Sequence, residues 1–137
     1  MPAKTGFCYK ELEQDRVVCL VPSSSALAGK EIVTMEELEQ ETILACNPLN
    51  APAAIASLQS QLLNGRPAEK VVYCESVEVA HCLVSAGIGV VLLPSILSPN
   101  GGDLAAVPFA GGTQLSFGVF YKRKKGNRVL ERLLKAI

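Results

Sequence analysis

The sequence predicts an α/β domain, a largely parallel sheet with helices on both faces. Three observations carry this. Short runs rich in β-branched residues alternate with segments of helical periodicity, and strands separated by helices imply crossover units. The hydrophobic fraction, 49% of 137 residues, suffices for a core without staples. In VSAGIGVVLLPSIL, residues 84–97, a glycine pair lies between a helical segment and an aliphatic run, the order of a helix stop followed by a buried strand.

The elements run in order. Residues 16–21 (RVVCLV) form a β-branched run that Pro22 ends, as expected of a buried strand. SSSALAGKEIV is loop. In TMEE, residues 34–37, Thr34 and Glu37 fit a capping box that opens a short helix through about Glu39. TILAC, residues 42–46, is a second strand, and NPLNAP a turn. Residues 53–63 carry Ile55, Leu58 and Leu62 at helical spacing, with Gly65 as a left-handed stop. KVVYCE, residues 70–75, is a third strand. Ser76 caps a helix with Val79, Ala80, Leu83 and Val84 on one face, and Gly87 ends it with a positive φ. Residues 88–93 form a fourth strand, in which Gly89 permits close approach to a neighbour. SPNGGD is loop, residues 104–108 a strand, AGGT a turn and residues 115–121 a strand. After the basic turn KRKKGN, residues Val129, Leu130, Leu133, Leu134 and Ile137 make the apolar face of a last helix. No internal repeat is visible.

Thirteen basic and thirteen acidic residues leave no net charge, so nothing in the balance marks a nucleic-acid groove or an anionic membrane as partner. The longest apolar runs fall far short of the roughly 20 residues that span a bilayer. MPAKTGFCYKELEQDR lacks the apolar core of a signal peptide, which predicts a cytoplasmic protein. Five cysteines (Cys8, Cys19, Cys46, Cys74, Cys82) in no repeated spacing read as reduced thiols.

Little in the chain suits catalysis. The lone His81 adjoins Cys82, but adjacent helical residues diverge by about 100 degrees, so a partly exposed helical histidine is expected rather than a thiolate–imidazole pair. Ser23, Ser24 and Ser25 lack a nucleophile elbow. Cys46, between a strand end and a helix, is the one thiol in a plausibly reactive setting, set against burial as strand packing. The acidic group Glu36, Glu37, Glu39 and Glu41 and the basic group at 122–125 with Arg128 read as solvated. No catalytic residue, metal site or cofactor is expected. NPLNAP stands open between two readings. In one, Asn47, Asn50 and the amides of a helix start bind a small carboxylate at the carboxyl end of a strand; in the other, an Asn-Pro turn simply caps a helix.

The ordered series ELEQDRVVCLVPSSSALAGKEIVTMEELEQETIL, SVEVAHCLVSAGIGVVLLPSIL and LSFGVFYKRKKGNRVLERLLKAI resembles the effector-binding region of LysR-type transcriptional regulators over nearly all of residues 10–137. Ser25-Ala26 stands where that family often has His-Pro. The resemblance implies a periplasmic-binding-protein-like (type 2) fold, of which residues 10–108 are the second subdomain and 109–137 the segment returning toward the first. It implies a bacterial small-molecule sensor, its effector held in an intersubdomain cleft that this half lines with Asn47, Pro48, Leu49, Asn50 and Ser76. The effector is expected to be a hydrogen-bonding metabolite, in one reading a carboxylate. It further implies homo-oligomers built through the 53–63 helix and the strand at 71–74. DNA contact runs only through a helix-turn-helix domain that this chain, read as a fragment, does not contain. Two alternatives remain: a transport receptor or enzyme fragment on the same fold, and a thiol redox sensor using Cys46, Cys74 or Cys82, whose spacing does not suggest a rearranging pair.

Overall fold

A computed structural model of the chain describes residues 7–112, 114–122 and 127–136. Two compact units divide it. One runs from Arg16 to Leu115; the other combines residues up to Asp15 with those from Ser116. Residues 10–15 pair within the second of these units, whereas Phe109 continues the sheet of the first through a parallel bridge to Val33.

The larger unit contains β2 (Val17–Pro22), β3 (Ile43–Cys46), α1 (Ala53–Leu63), β4 (Val71–Cys74), α2 (Val77–Ser85), β5 (Val91–Pro94) and β6 (Leu104–Pro108). β3 and β4 pair in parallel, Ile43 opposite Val71 and Cys46 opposite Cys74. A parallel bridge from Ile43 to Val90, with Leu44 N–H on Val90 O at 2.8 Å and Val90 N–H on Thr42 O at 2.9 Å, joins β3 to the approach of β5. β2 then pairs antiparallel with β5 on one side and β6 on the other. The resulting order is β4–β3–β5–β2–β6, with β2 alone running against the rest.

Four of the five strands thus run in one direction, as expected of a largely parallel sheet, and β2 alone makes it mixed. A crossover helix enforces parallel neighbours only where one connects them. No α-helix lies between β2 and β3, or between β5 and β6, where only 3-10 turns (Ala26–Gly29, Glu36–Leu38, Ser95–Leu97) occur.

Both faces are covered, as expected. Alternation along a strand sends Leu20, Leu44, Cys74, Val91 and Leu93 to one side, where they pack with Ala80 and Val84 of α2. The intervening Cys19, Val21, Ile43, Ala45 and Leu92 are equally buried, so a second layer must meet them. α1 provides it at β3 and β5, through Ile55, Leu58 and Leu62.

Local expectations hold with two amendments. Thr34 and Glu37 form the capping box: Thr34 Oγ1 accepts the Glu37 N–H at 3.3 Å and Glu37 Oε1 accepts the Thr34 N–H at 3.1 Å. Yet the turn it opens is a single 3-10 turn, Glu36–Leu38, rather than a helix through Glu39. On α2, Ala80 and Val84 are buried but Val79 is exposed, so the apolar face is narrower than its sequence suggests. Gly87 takes φ +78, and a Cβ at Gly89 would lie 2.6 Å from Thr42 O, which is why the β5 approach needs glycine there.

The smaller unit holds β1 (Phe7–Asp15), β7 (Leu115–Lys122) and α3 (Arg128–Ala136). Tyr9 packs against Phe120 at 4.8 Å between centroids, the rings tilted by 50°, and its hydroxyl meets Ser116 Oγ at 2.7 Å. Lys10 Nζ donates to Leu134 O at 2.6 Å, tying β1 to α3. A Cβ at Gly118 would run into the Lys10 carbonyl and the Tyr9 ring. Of the expected apolar face of α3, Leu130 and Leu134 are half-buried while Val129 and Leu133 are exposed. Ile137 and most of the basic turn, residues 123–126, lie outside the described residues. Within 8–15, 116–122 and 127–136 no side chain is fully buried.

Candidate functional site

β3, β4 and β5 run in parallel, so their carboxyl ends share one edge of the larger unit, where open α/β sheets bind ligands. The residues just beyond those ends form the walls of a crevice. Beyond β3, Asn47 Oδ1 accepts the Leu49 N–H at 3.0 Å and holds Pro48–Asn50 in a 3-10 turn. Beyond β4, Ser76 Oγ accepts the Val79 N–H at 3.2 Å and caps α2. Asn47, Asn50 and Ser76 line one pocket, together with Glu75, Val77 and Pro94. Its volume is about 70 Å³.

Pro48 lines a second pocket instead, about 460 Å³, on the α1 side. Leu49 lines neither and is 90% exposed. The sequence reading paired Asn47 and Asn50 with free N–H groups at the start of α1, which begins at Ala53, behind Pro52. Two helix starts line the crevice, that of α1 through Ala51, Pro52 and Ile55 and that of α2. There Ser76 Oγ takes the Val79 N–H and Ser76 O the Ala80 N–H, while the amides of Val77 and Glu78 lead the helix.

Two side chains hold this edge: Gln59, which sequence reasoning passed over, and His81, which it read as a partly exposed helical histidine. Gln59, buried on α1, accepts the Cys46 N–H at 2.9 Å and donates to Cys46 O at 2.8 Å, continuing the ladder where β3 ends. A glutamine between Leu58 and Leu62 on the apolar side of a helix was the available signal. His81 Nε2 lies 2.8 Å from Leu97 O. A carbonyl only accepts, so Nε2 carries the proton, and the contact fastens α2 to the Ser95–Leu97 turn whose last residue lines the crevice.

All five cysteines are free. Burial pushes the Cys19 thiol up to about 12, with Glu41 adding to it. Burial raises Cys46, with Cys74 a lesser cause, and burial raises Cys74. Although their separation in sequence gave no hint of pairing, Cys46 and Cys74 are direct cross-strand neighbours. His81 and Cys82 are not brought into contact by any hydrogen bond. Among the described residues no three histidine, cysteine, aspartate or glutamate side chains converge as a metal would require. No helix among them is long and apolar enough to cross a membrane.

A family model described as the LysR substrate binding domain matches residues 2–137. No curated protein matches the chain. Among solved structures, the reduced OxyR regulatory domain of Pseudomonas aeruginosa aligns with a TM-score of 0.69 at 19% identity, over 99% of this chain and 68% of that one. The Synechocystis PCC6803 CcmR regulatory domain in complex with 2-PG gives 0.72 at 15%, over 99% and 67%. CbnR, a LysR family transcriptional regulator, gives 0.71 at 17%, over 98% and 47%. The likeness is one of fold, and the chain spans about half to two thirds of the length of these structures.

Proposed function

The chain belongs to the LysR substrate binding domain family, and from that premise we propose that it senses a small-molecule effector for a bacterial transcriptional regulator. The observation that carries the reading is the convergence of Asn47, Asn50 and Ser76 on one pocket at the shared carboxyl ends of β3, β4 and β5. A complete ligand pocket occupies roughly 300–1,000 Å³. At about 70 Å³ this pocket is one wall of such a site, and a first subdomain supplies the other.

The wall favours a small acid that also carries a hydrogen-bond donor. The leading amides of α2 and the positive end of its dipole suit a carboxylate or phosphate. Glu75, on the same pocket, suits a hydroxyl or ammonium group on that ligand. The CcmR regulatory domain is known in complex with 2-PG, a precedent on this fold. Pro48 and Leu49 act by shaping the turn that presents the two asparagines. The work is recognition without bond making, in the cytoplasm. An effector that binds one arrangement of the subdomains more tightly shifts their equilibrium by its differential affinity. α1 and β4, with Tyr73 exposed at its edge, contribute the homo-oligomer face, and the regulator meets DNA through a separate helix-turn-helix domain.

A thermal-shift screen of 2-PG and small hydroxy, amino and keto acids tests this. A ligand at 100 times its Kd adds about 2.7 kcal/mol of stability. The expected result is stabilisation that is larger in a chain extended by about one subdomain and is lost when Asn47 and Asn50 are both changed to Ala. Equal stabilisation of the double variant removes these residues from the site. Equal stabilisation of the short and extended chains removes the missing wall.

A further inference from the structure

We propose that Cys46 and Cys74 form a two-thiol site for a soft d10 cation of the Cu(I) type, at the crevice end of the β3–β4 pair. The two residues are directly opposed in a parallel ladder. Their side chains lie on the same face of the sheet, Cys74 within the cluster beneath α2 and Cys46 packed against it. Cys46 also forms part of the crevice wall, which gives an ion a path to the pair.

Strand spacing decides between a disulfide and an ion. Neighbouring strands lie about 4.7–4.9 Å apart, and opposed side chains leave them nearly parallel, so their Cβ atoms stay near that separation. A disulfide needs Cβ atoms roughly 3.5–4.5 Å apart. Two metal–sulfur bonds of about 2.3 Å placed end to end span about 4.6 Å, which matches the ladder without moving it. The backbone is poorly free to close the gap, because Gln59 grips both the N–H and the carbonyl of Cys46.

Softness and coordination number select the ion. Thiolates favour Cu(I) and its congeners, whereas zinc in a structural site takes four ligands and no third or fourth is present among the described residues. On binding, each thiol loses its proton to solvent and each sulfur forms one bond to the ion, so a univalent cation and two neutral thiols become a bis-thiolate of charge −1 and two protons. The start of α2 at Val77, three residues beyond Cys74, offsets part of that charge. Burial raises both thiols, so without an ion they stay protonated at neutral pH.

The probe is Ag(I), which has no accessible redox step. It is dialysed against the reduced 137-residue chain carrying Cys8→Ser and Cys82→Ser, with a monothiol competitor in excess, and the bound ion is examined by X-ray absorption. The expected result is one equivalent held by two sulfur neighbours, with affinity lowered about 100-fold or more by either Cys46→Ser or Cys74→Ser, since each removes the chelate. Cys74→Ala, apolar in a buried position, repeats the test if the serine variant fails to fold. Retention of full affinity by either single variant overturns the proposal. So does a Cys46–Cys74 disulfide formed readily under diamide, because it would mean the sulfurs already sit at bonding distance.

Discussion

At the scale of single residues, burial and backbone geometry set the behaviour. Cys82 is exposed and Cys19 is sealed in β2 with its thiol pushed up to about 12. Maleimide labelling of the native chain at neutral pH, followed by mass spectrometry, is expected to modify Cys82 first and Cys19 last; early labelling of Cys19 would show that β2 opens readily. Gly89 makes a second residue-scale prediction. Its missing Cβ would meet Thr42 O at 2.6 Å, a backbone atom just before β3 that accepts the Val90 N–H. Gly89→Ala should therefore cost about 1–3 kcal/mol in urea unfolding. Both glycine roles, at 87 and 89, were legible because a helix stop followed at once by aliphatics admits few geometries. The cross-strand partnership of Cys46 and Cys74 was not, since register depends on which strands pair and sequence separation says nothing of it.

At the scale of elements, caps and strand ends decide stability. Ser76→Ala is expected to cost about 1 kcal/mol by freeing the Val79 N–H. Gln59→Leu should cost more, because it strands both the N–H and the carbonyl of Cys46 at about 1–3 kcal/mol for each unsatisfied group. A Gln59→Leu variant as stable as the parent in urea would mean that solvent replaces both bonds. The capping box carries a pH signature. Hydrogen bonds from Lys30 and from the Thr34 backbone hold the Glu37 carboxyl below its ordinary 4.5. A lowered folded-state value stabilises the protein above the unfolded value, and that contribution is lost as pH falls through the folded one. The difference in melting temperature between the parent and Glu37→Gln should thus be present at pH 7 and shrink as pH drops below 4.5. The box was readable from Thr34 and Glu37 alone, because both halves of it are local. The extent of the element it opens was not readable: Glu36–Leu38 stays a 3-10 turn, since three residues of helical propensity do not repay nucleation.

At the scale of the molecule, alternation of strands and helices was enough to foresee the α/β class and two covered faces. Strand direction was legible only where a helix makes the connection. β2 has no such helix on either side in the sheet, and its reversed direction is a non-local fact. β1 was missed for the same reason: FCYKELEQD shows no period of two, and its partner β7 lies more than a hundred residues away, joined by Tyr9 and Ser116. At the candidate site, three of the residues named from the sequence, Asn47, Asn50 and Ser76, line one pocket, while Pro48 lines another and Leu49 lines neither. The 3-10 turn at Pro48–Asn50 was not legible, because a proline-led turn between β3 and α1 looks the same as a helix start when only NPLNAP is read.

The central claim is that the crevice at the carboxyl ends of β3, β4 and β5 receives the effector. Amide chemical-shift mapping of the isotope-labelled chain, titrated with the most stabilising acid from the screen, tests it most directly. Saturable shifts at Asn47, Asn50, Ser76 and Val77 are the predicted result. Shifts gathered at the opposite edge, around Thr42, Lys70 and Gly87, where a separate polar pocket lies, would contradict it and move the binding site to the other end of the strands.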